Sequence, residues 1–200
     1  MDIENAQKEI EHFNRWSRTY EDSWIQRFVE PVHKDMLSVI TKQLSVPRSV
    51  LDVGCGTGRL LRKAAALWPS AQLIGVDPAT GMVDIARQRT QGATIHLAGA
   101  ESLPLADSPV DVALSSISFH HWRDQAAGVR EIARVLCSGG CFCLTDLTIP
   151  DWLARIQRHA KGPRQTRNIV EASGLTVEVQ RRTYRRLVLL TLGAKPPSRV

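Results

Sequence analysis

No run in this chain approaches the ~18 consecutive apolar residues that a membrane-spanning helix requires, and its opening residues are polar, unlike a secretory leader. The expectation is a soluble cytoplasmic protein with no membrane partner. Cysteine is scarce. Cys55, Cys137, Cys141 and Cys143 lack the regular spacing of a secreted disulfide scaffold and suit a reducing compartment. A metal site joining the last three to His120 or His121 is conceivable, but C-x3-C-x-C is not a familiar zinc spacing, and strand cysteines are usually small buried residues. No metal is expected. Internal repeats and low-complexity tracts are also absent, and 200 residues leave room for one domain.

Acidic residues are sparse in only one part of the chain. Residues 151–200 hold eleven Lys and Arg against three Asp and Glu, although the whole chain carries a net +6. Basic asymmetry of this kind attracts anionic partners or simply solvates a face.

What is present is organised around Val50–Leu60, V-L-D-V-G-C-G-T-G-R-L. Alternating Gly54, Gly56 and Gly58 let the backbone turn sharply from a strand into a helix and let a ligand approach without Cβ atoms in the way. The flanks agree with that reading. Ser49 to Val53 has strand character, and Leu60, Leu61, Ala64, Ala65 and Trp68 give the following segment one apolar face. A second apolar run, Leu73 to Val76, ends in Asp77, about ~20 residues on, where an acid commonly holds ribose hydroxyls. The third glycine comes one residue early for a dinucleotide fingerprint, and Asp52 immediately before the loop would repel a pyrophosphate while favouring an ammonium group. These features point to S-adenosylmethionine, which carries a sulfonium and an amino acid but no phosphate.

Apolar segments then alternate as in a doubly wound sheet. Strands are expected at 49–53, 72–77, 93–97, 110–116 and 140–147, with helices near 57–68, 79–90 and 123–136, the last closed by Gly139-Gly140. Leu175 to Tyr184 and Leu187 to Ala194 read as two further strands. Residues 1–45 read as a helical cap: Ile10, Phe13, Ser17 and Tyr20 share one face, and Pro31 suits the start of a second helix carrying Val32, Met36, Val39 and Ile40.

The glycine loop, I-G-V-D-P-A-T-G-M (74–82), A-E-S-L-P-L-A-D-S-P-V-D (100–111), S-F-H-H-W (118–122) and E-I-A-R-V-L-C-S-G-G (131–140) together resemble class I S-adenosylmethionine-dependent methyltransferases, in particular the ubiquinone and menaquinone biosynthesis type. The resemblance implies one α/β domain over residues 1–200: a Rossmann-like, mostly parallel doubly wound sheet with an antiparallel C-terminal hairpin, helices on both faces, a cap over 1–45 and a core over 46–200. It implies S-adenosyl-L-methionine as cofactor, held by Asp52, Gly54, Cys55, Gly56, Gly58, Asp77, Pro78, Met82, Ala100, Glu101 and Ser115. Where this branch usually carries Gly-Asp-Ala-Glu, the chain has Ala98-Gly99-Ala100-Glu101, so backbone near Ala100, or Glu101, takes over from the missing adenine-contacting acid. F-N-R-W-S-R-T-Y (13–20) resembles the segment that covers the cofactor.

Methyl transfer from a sulfonium is an in-line displacement in which alignment supplies much of the acceleration. A base near neutral pKa helps when the acceptor carries a proton, and His120 and His121 follow the fourth strand where such a base would stand. Tyr20, Trp24 and Trp122 are candidates to shape the acceptor pocket and exclude water. A small-molecule acceptor is the leading expectation. An RNA methyltransferase is the alternative, motivated by Arg155, Arg158, Lys161, Arg164, Arg167, Arg181, Arg182, Arg185 and Arg186, although only Trp152 and Tyr184 interleave to stack bases. A non-catalytic S-adenosylmethionine-binding protein is a third reading.

Overall fold

A computed structural model describes residues 3–107, 109–151 and 161–197, with side chains from residue 7 onward. Trp152, Arg155 and Arg158 lie outside the described residues. The cap comprises α1 (Ile3–Trp16), a 3-10 turn (Ser17–Asp22) and α2 (Ile25–Gln43). The core follows as β1 (Ser49–Val53), α3 (Arg59–Leu67), β2 (Gln72–Asp77), α4 (Thr80–Arg89), β3 (Thr94–Leu97), β4 (Val110–Ser116), α5 (Gln125–Val135), β5 (Leu136–Leu147), α6 (Pro163–Ala172), β6 (Thr176–Thr183) and β7 (Val188–Ala194).

Seven strands form one sheet in the order β3-β2-β1-β4-β5-β7-β6. The first five pair in parallel, and β7 runs antiparallel to both β5 and β6. Strand order therefore reverses between β1 and β4, which is where an open α/β sheet leaves a crevice at its carboxyl edge. Alternating side chains feed two cores. Val50, Val112 and Leu114 pack with Met36, Ile40, Leu61 and Val83 on one face, while Leu51, Val53, Ala113 and Phe142 pack with Val129, Ile132 and Val170 on the other. Burial on both faces explains why these strands read as near-continuous apolar runs.

Two boundaries depart from expectation. Pro31 lies inside α2 rather than at its start, because Gln26 and Val29 in the preceding turn are themselves buried and the Ser23 and Trp24 carbonyls already accept bonds from Gln26 and Arg27. Gly139 and Gly140 do not close α5. That helix ends at Val135, and the glycines form an irregular stretch within β5, where the ladder to β4 shifts between Val110 and Val112. Gly139 has φ +76°, and a Cβ on Gly140 would come within 2.9 Å of the Asp111 carbonyl oxygen, so both positions favour glycine.

Candidate functional site

Three adjoining cavities occupy the carboxyl edge of the sheet beneath the cap. The first, about 340 Å³, lies between the glycine loop and the strand ends, in the size range of small-molecule sites. Gly54, Gly56, Asp77, Pro78, Met82, Ala100 and Glu101, all among the cofactor-site candidates, line it. Ile10, Phe13 and Tyr20 close it from the cap.

The three loop glycines have different tasks. Gly54 and Cys55 donate to the Val76 carbonyl, which folds the loop back over β2. A Cβ on Gly54 would sit 1.8 Å from Ser118 Oγ, and one on Gly58 2.3 Å from Thr90 Oγ1, so those two glycines permit packing. Gly56 is different. Its φ is +53°, and the only atom within reach of an added Cβ is Tyr20 Cε1 at 4.0 Å, so its bare backbone borders open cavity. Gly58 and Cys55 do not line the first cavity; Cys55 is buried in the core.

Asp77 accepts from Gly56 N–H through Oδ2 and from Ala79 N–H through Oδ1, both at 2.9 Å. It pins the glycine loop to the entry of α4. Burial pushes its carboxyl up to about 6, opposed by those two bonds. Asp52 is only 2% exposed and stands on the third, smaller cavity with Gly54, Gly56 and Tyr20, rather than on the first. Burial, then the negative charge of Asp77, pushes its carboxyl up to about 8. Asp52 is therefore held largely neutral at pH 7, which corrects the expectation of a standing negative charge.

Other expectations shift by one residue or fail. Ser116 lines the first cavity, whereas Ser115 points to the opposite side of β4, fully buried with an unpartnered hydroxyl. Trp24 lines none of the three cavities and is 80% exposed at the start of α2, so helical spacing alone misplaced it. Trp122 lines the first cavity rather than the second, edge-on to Phe119 and donating from Nε1 to Ser118 Oγ at 3.0 Å. Tyr20 lines all three cavities, and burial followed by the charge of Asp77 raises its phenol pKa. Glu101 spends one carboxylate oxygen on the Asp124 N–H at 2.9 Å.

His121 lines the first and second cavities and His120 the second, on a 3-10 turn, Phe119–His121. The sequence reading missed three residues around them: Glu9, Asp146 and Ile117. Ile117 lines all three cavities with φ +50°, a left-handed conformation that costs a β-branched residue on the order of 1–3 kcal/mol. Its N–H is held by the Thr145 carbonyl at 2.8 Å. No sequence signal marks such strain, but Asp146 was findable, since it stands at the carboxyl end of β5, one residue before Leu147, as Asp52 stands one residue before the end of β1 and Asp77 ends β2. Cys141 and Cys143 are buried in the core, with burial pushing the Cys141 thiol up to about 12, and no group of three or more His, Cys, Asp and Glu side chains among the described residues is placed to hold a metal. Among the described residues no helix is long and apolar enough to cross a membrane.

Residues 51–144 match a family model described as a methyltransferase domain. Over those residues, just under half of its length, the chain is similar to methyltransferase domains. Its relatives include a demethylmenaquinone methyltransferase of Chlorobaculum parvum, 35% identical over 50% of this chain and 42% of that protein. A ubiquinone/menaquinone biosynthesis C-methyltransferase of Campylobacter jejuni is 27% identical over 73% of this chain and 66% of that protein. The chain thus spans less than half of the Chlorobaculum relative and about two thirds of the Campylobacter one. Among solved structures, a chain from the complex between the Haloferax volcanii Trm112 methyltransferase activator and a methyltransferase superposes with TM-score 0.78 at 22% identity, covering 92% of this chain and 97% of that one. That likeness speaks to the fold alone.

Proposed function

We propose that this protein transfers a methyl group from S-adenosylmethionine to a small-molecule acceptor, with the donor in the first cavity and its amino-acid end reaching the adjoining third, and the acceptor entering from the second. The observation that carries this reading is the pair of buried carboxyls, Asp52 and Asp77, flanking a bare glycine backbone at the point where strand order reverses. Such a floor suits hydroxyls and, once Asp52 gives up its proton, an ammonium. The donor supplies an electrophilic methyl group on a sulfonium.

The chain's own residues then have definite tasks. Asp77 offers carboxylate oxygens to the ribose hydroxyls while keeping its bonds to Gly56 and Ala79. Asp52 receives the ammonium and loses its proton to do so. Gly54, Gly56 and Pro78 give close backbone approach, Met82 and Ala100 border the base, and the backbone near Ala100 supplies its polar contacts. Gly58 and Ser115 support this wall from behind, and Cys55 borders the third cavity beside Asp52. Tyr20 shuts the cavity from the cap, and His120 and His121 stand ready to take a proton from the acceptor.

The alternative with RNA as acceptor loses support from the fate of its arginines. Arg181 pairs with Asp35, Arg167 with Glu171 and Arg164 with Asp151, and Arg182 donates to the Arg186 carbonyl. Three of the seven described cations of that set thus already face carboxylates, which lowers the charge they present to a phosphate backbone.

Calorimetric titration tests the donor site. Asp77→Ala should weaken S-adenosylmethionine binding tenfold or more, because hydrogen bonds to a charged group contribute about 1.5–3 kcal/mol. Unchanged affinity in that variant, or NADH binding more tightly than S-adenosylmethionine, would remove the assignment.

A further inference from the structure

The second cavity, about 630 Å³, has walls unlike those of the first. Phe13, Trp16 and Tyr20 contribute aromatic surface, Leu147 and Ile25 aliphatic surface, and the two histidines face it from the strand edge. The imidazole centroids lie 3.9 Å apart with planes tilted 41°. Each ring is tied at Nδ1 to a carboxylate, His120 to Asp146 Oδ1 at 2.6 Å and His121 to Glu9 Oε2 at 3.0 Å.

The two ties are not equivalent. Asp146 is buried and fully committed: Oδ2 accepts the His120 backbone N–H at 2.6 Å, and Oδ1 also accepts the Leu147 N–H at 2.7 Å. A carboxylate held this firmly keeps the His120 proton on Nδ1 and leaves the lone pair on Nε2 for the cavity. Glu9 comes from the cap, and its side chain is 38% exposed. Burial opposes charge on both rings, yet Asp146 raises the proton affinity of His120 overall, while burial and the neighbouring His120 lower that of His121. One ring of the stacked pair is thus prepared to become cationic and the other to stay neutral.

We propose that the second cavity takes a planar acceptor bearing a weakly acidic hydroxyl, a phenol or enol in chemical class, that His120 Nε2 removes its proton, and that Asp146 is the positioning residue that fixes the tautomer of His120. This rests on the donor reading above. In the step, the acceptor O–H bond breaks with its proton going to Nε2, an oxygen–methyl bond forms, the sulfonium–methyl bond breaks, and the sulfonium leaves as a neutral thioether. The imidazolium then returns its proton to water. An ionised carboxylic acid acceptor would leave His120 nothing to remove, and the aromatic walls match a flat ring. The groups facing His120 are Asp146 from β5, Glu9, Lys8 and His12 from α1, and His121 beside it.

The test uses the full chain, methyl-labelled S-adenosylmethionine and two probe sets: catechol, hydroquinone and 2-naphthol against benzoate and benzylamine. We expect label on the phenols only. His120→Gln should lower kcat about 10²–10⁴-fold, and Asp146→Asn at least tenfold with Asp146→Glu recovering part, while donor affinity stays within about twofold. Independently of turnover, ¹H–¹⁵N correlation spectra should show His120 protonated on Nδ1 in the native chain and a changed tautomer in Asp146→Asn. Label on benzoate or benzylamine alone, phenols left untouched with donor binding intact, or an unaltered His120 tautomer in Asp146→Asn overturns this proposal by itself. Failure of the native chain to bind S-adenosylmethionine overturns the donor reading and this one with it.

Discussion

Asp52 offers the sharpest test of the donor site, because its protonation must change when a cation arrives. Its carboxyl moves from an ordinary 3.8 to about 8 in the folded protein, close to four powers of ten in proton affinity. At ~1.4 kcal/mol per power of ten, ionising it in the folded chain costs on the order of 5 kcal/mol. At pH 6.5 Asp52 is almost wholly protonated, whereas an α-amino group, with its ordinary pKa near ~7.7–8.0, is mostly charged. Seating that ammonium beside Asp52 therefore expels about one proton, with a smaller contribution from Asp77. Titrating S-adenosylmethionine at pH 6.5 in two buffers of different ionisation enthalpy measures that proton from the difference in apparent binding heat. In Asp52→Asn the difference should fall to a fraction of its native value and affinity should drop by at least tenfold. The sign of the stability effect is equally fixed. A carboxyl whose folded pKa is raised contributes most at pH below ~4 and loses that contribution as pH climbs to about 8; buried His33, held down at about 3, opposes this slope below its ordinary 6.5, so the protein should melt progressively lower from pH 6.5 to 8.5 and Asp52→Asn should flatten the slope. Buffer-independent heats in the native chain, or a melting temperature that rises over that interval, would refute the reasoning.

Three further outcomes follow from local geometry. Gly56→Val should leave the chain folded, with a left-handed backbone cost of about 1–2 kcal/mol, yet abolish donor binding by calorimetry, because the new side chain enters the first cavity. Gly54→Ala should act on folding instead: its Cβ would meet Ser118 Oγ at 1.8 Å, displacing the partner of Trp122 Nε1, and thermal melting should register a loss of roughly 1–3 kcal/mol. Trp24→Ala should change neither donor affinity nor turnover, and its stability should stay within about 0.5 kcal/mol of native, as expected for a solvated side chain away from the site.

The sheet was legible because its strands are buried on both faces and end in punctuation. β1, β2 and β4 run over the residues the apolar pattern indicates, and Asp77 and the glycine loop meet at one cavity as their spacing implies. Where local chemistry competes with tertiary packing, the pattern misleads. Pro31 is compatible with a helix start, but the buried Gln26 and Val29 draw the helix back to Ile25, nearly two turns earlier. Gly139-Gly140 has the composition of a helix stop and is instead used to kink β5 past Asp111. Period-two alternation separates Ser115 from Ser116, and a reading that placed the strand end without its pleat chose the wrong one. Glu9 joins His121 across 112 residues of sequence, a pairing that no local pattern encodes.

The cap divides physically into two parts, and the division bears on how a ligand enters. Helix α2 belongs to the core, with Val32, Met36 and Ile40 wholly buried against the sheet. α1 and the 3-10 turn are held chiefly by polar latches. Asn14 Oδ1 accepts the Gly81 N–H at 2.8 Å, and Glu21 accepts from Thr57 Oγ1 and Arg62, each at 2.6 Å, with Arg89 on its second oxygen at 2.8 Å. Partly exposed latches of this type contribute about 0–1 kcal/mol apiece and exchange readily for water, whereas withdrawing α2 would expose its fully buried apolar side chains at ~1.5–3 kcal/mol each. Low-cost opening therefore belongs to α1 and the turn, the segment carrying Glu9, Phe13 and Tyr20 over both large cavities. Its latches reach Thr57 in the glycine loop, Arg62 and Gly81 in the first turns of α3 and α4, and Arg89 at the end of α4. Any ligand that orders that loop must consequently also favour closure of the segment that completes the His121 side of the acceptor cavity.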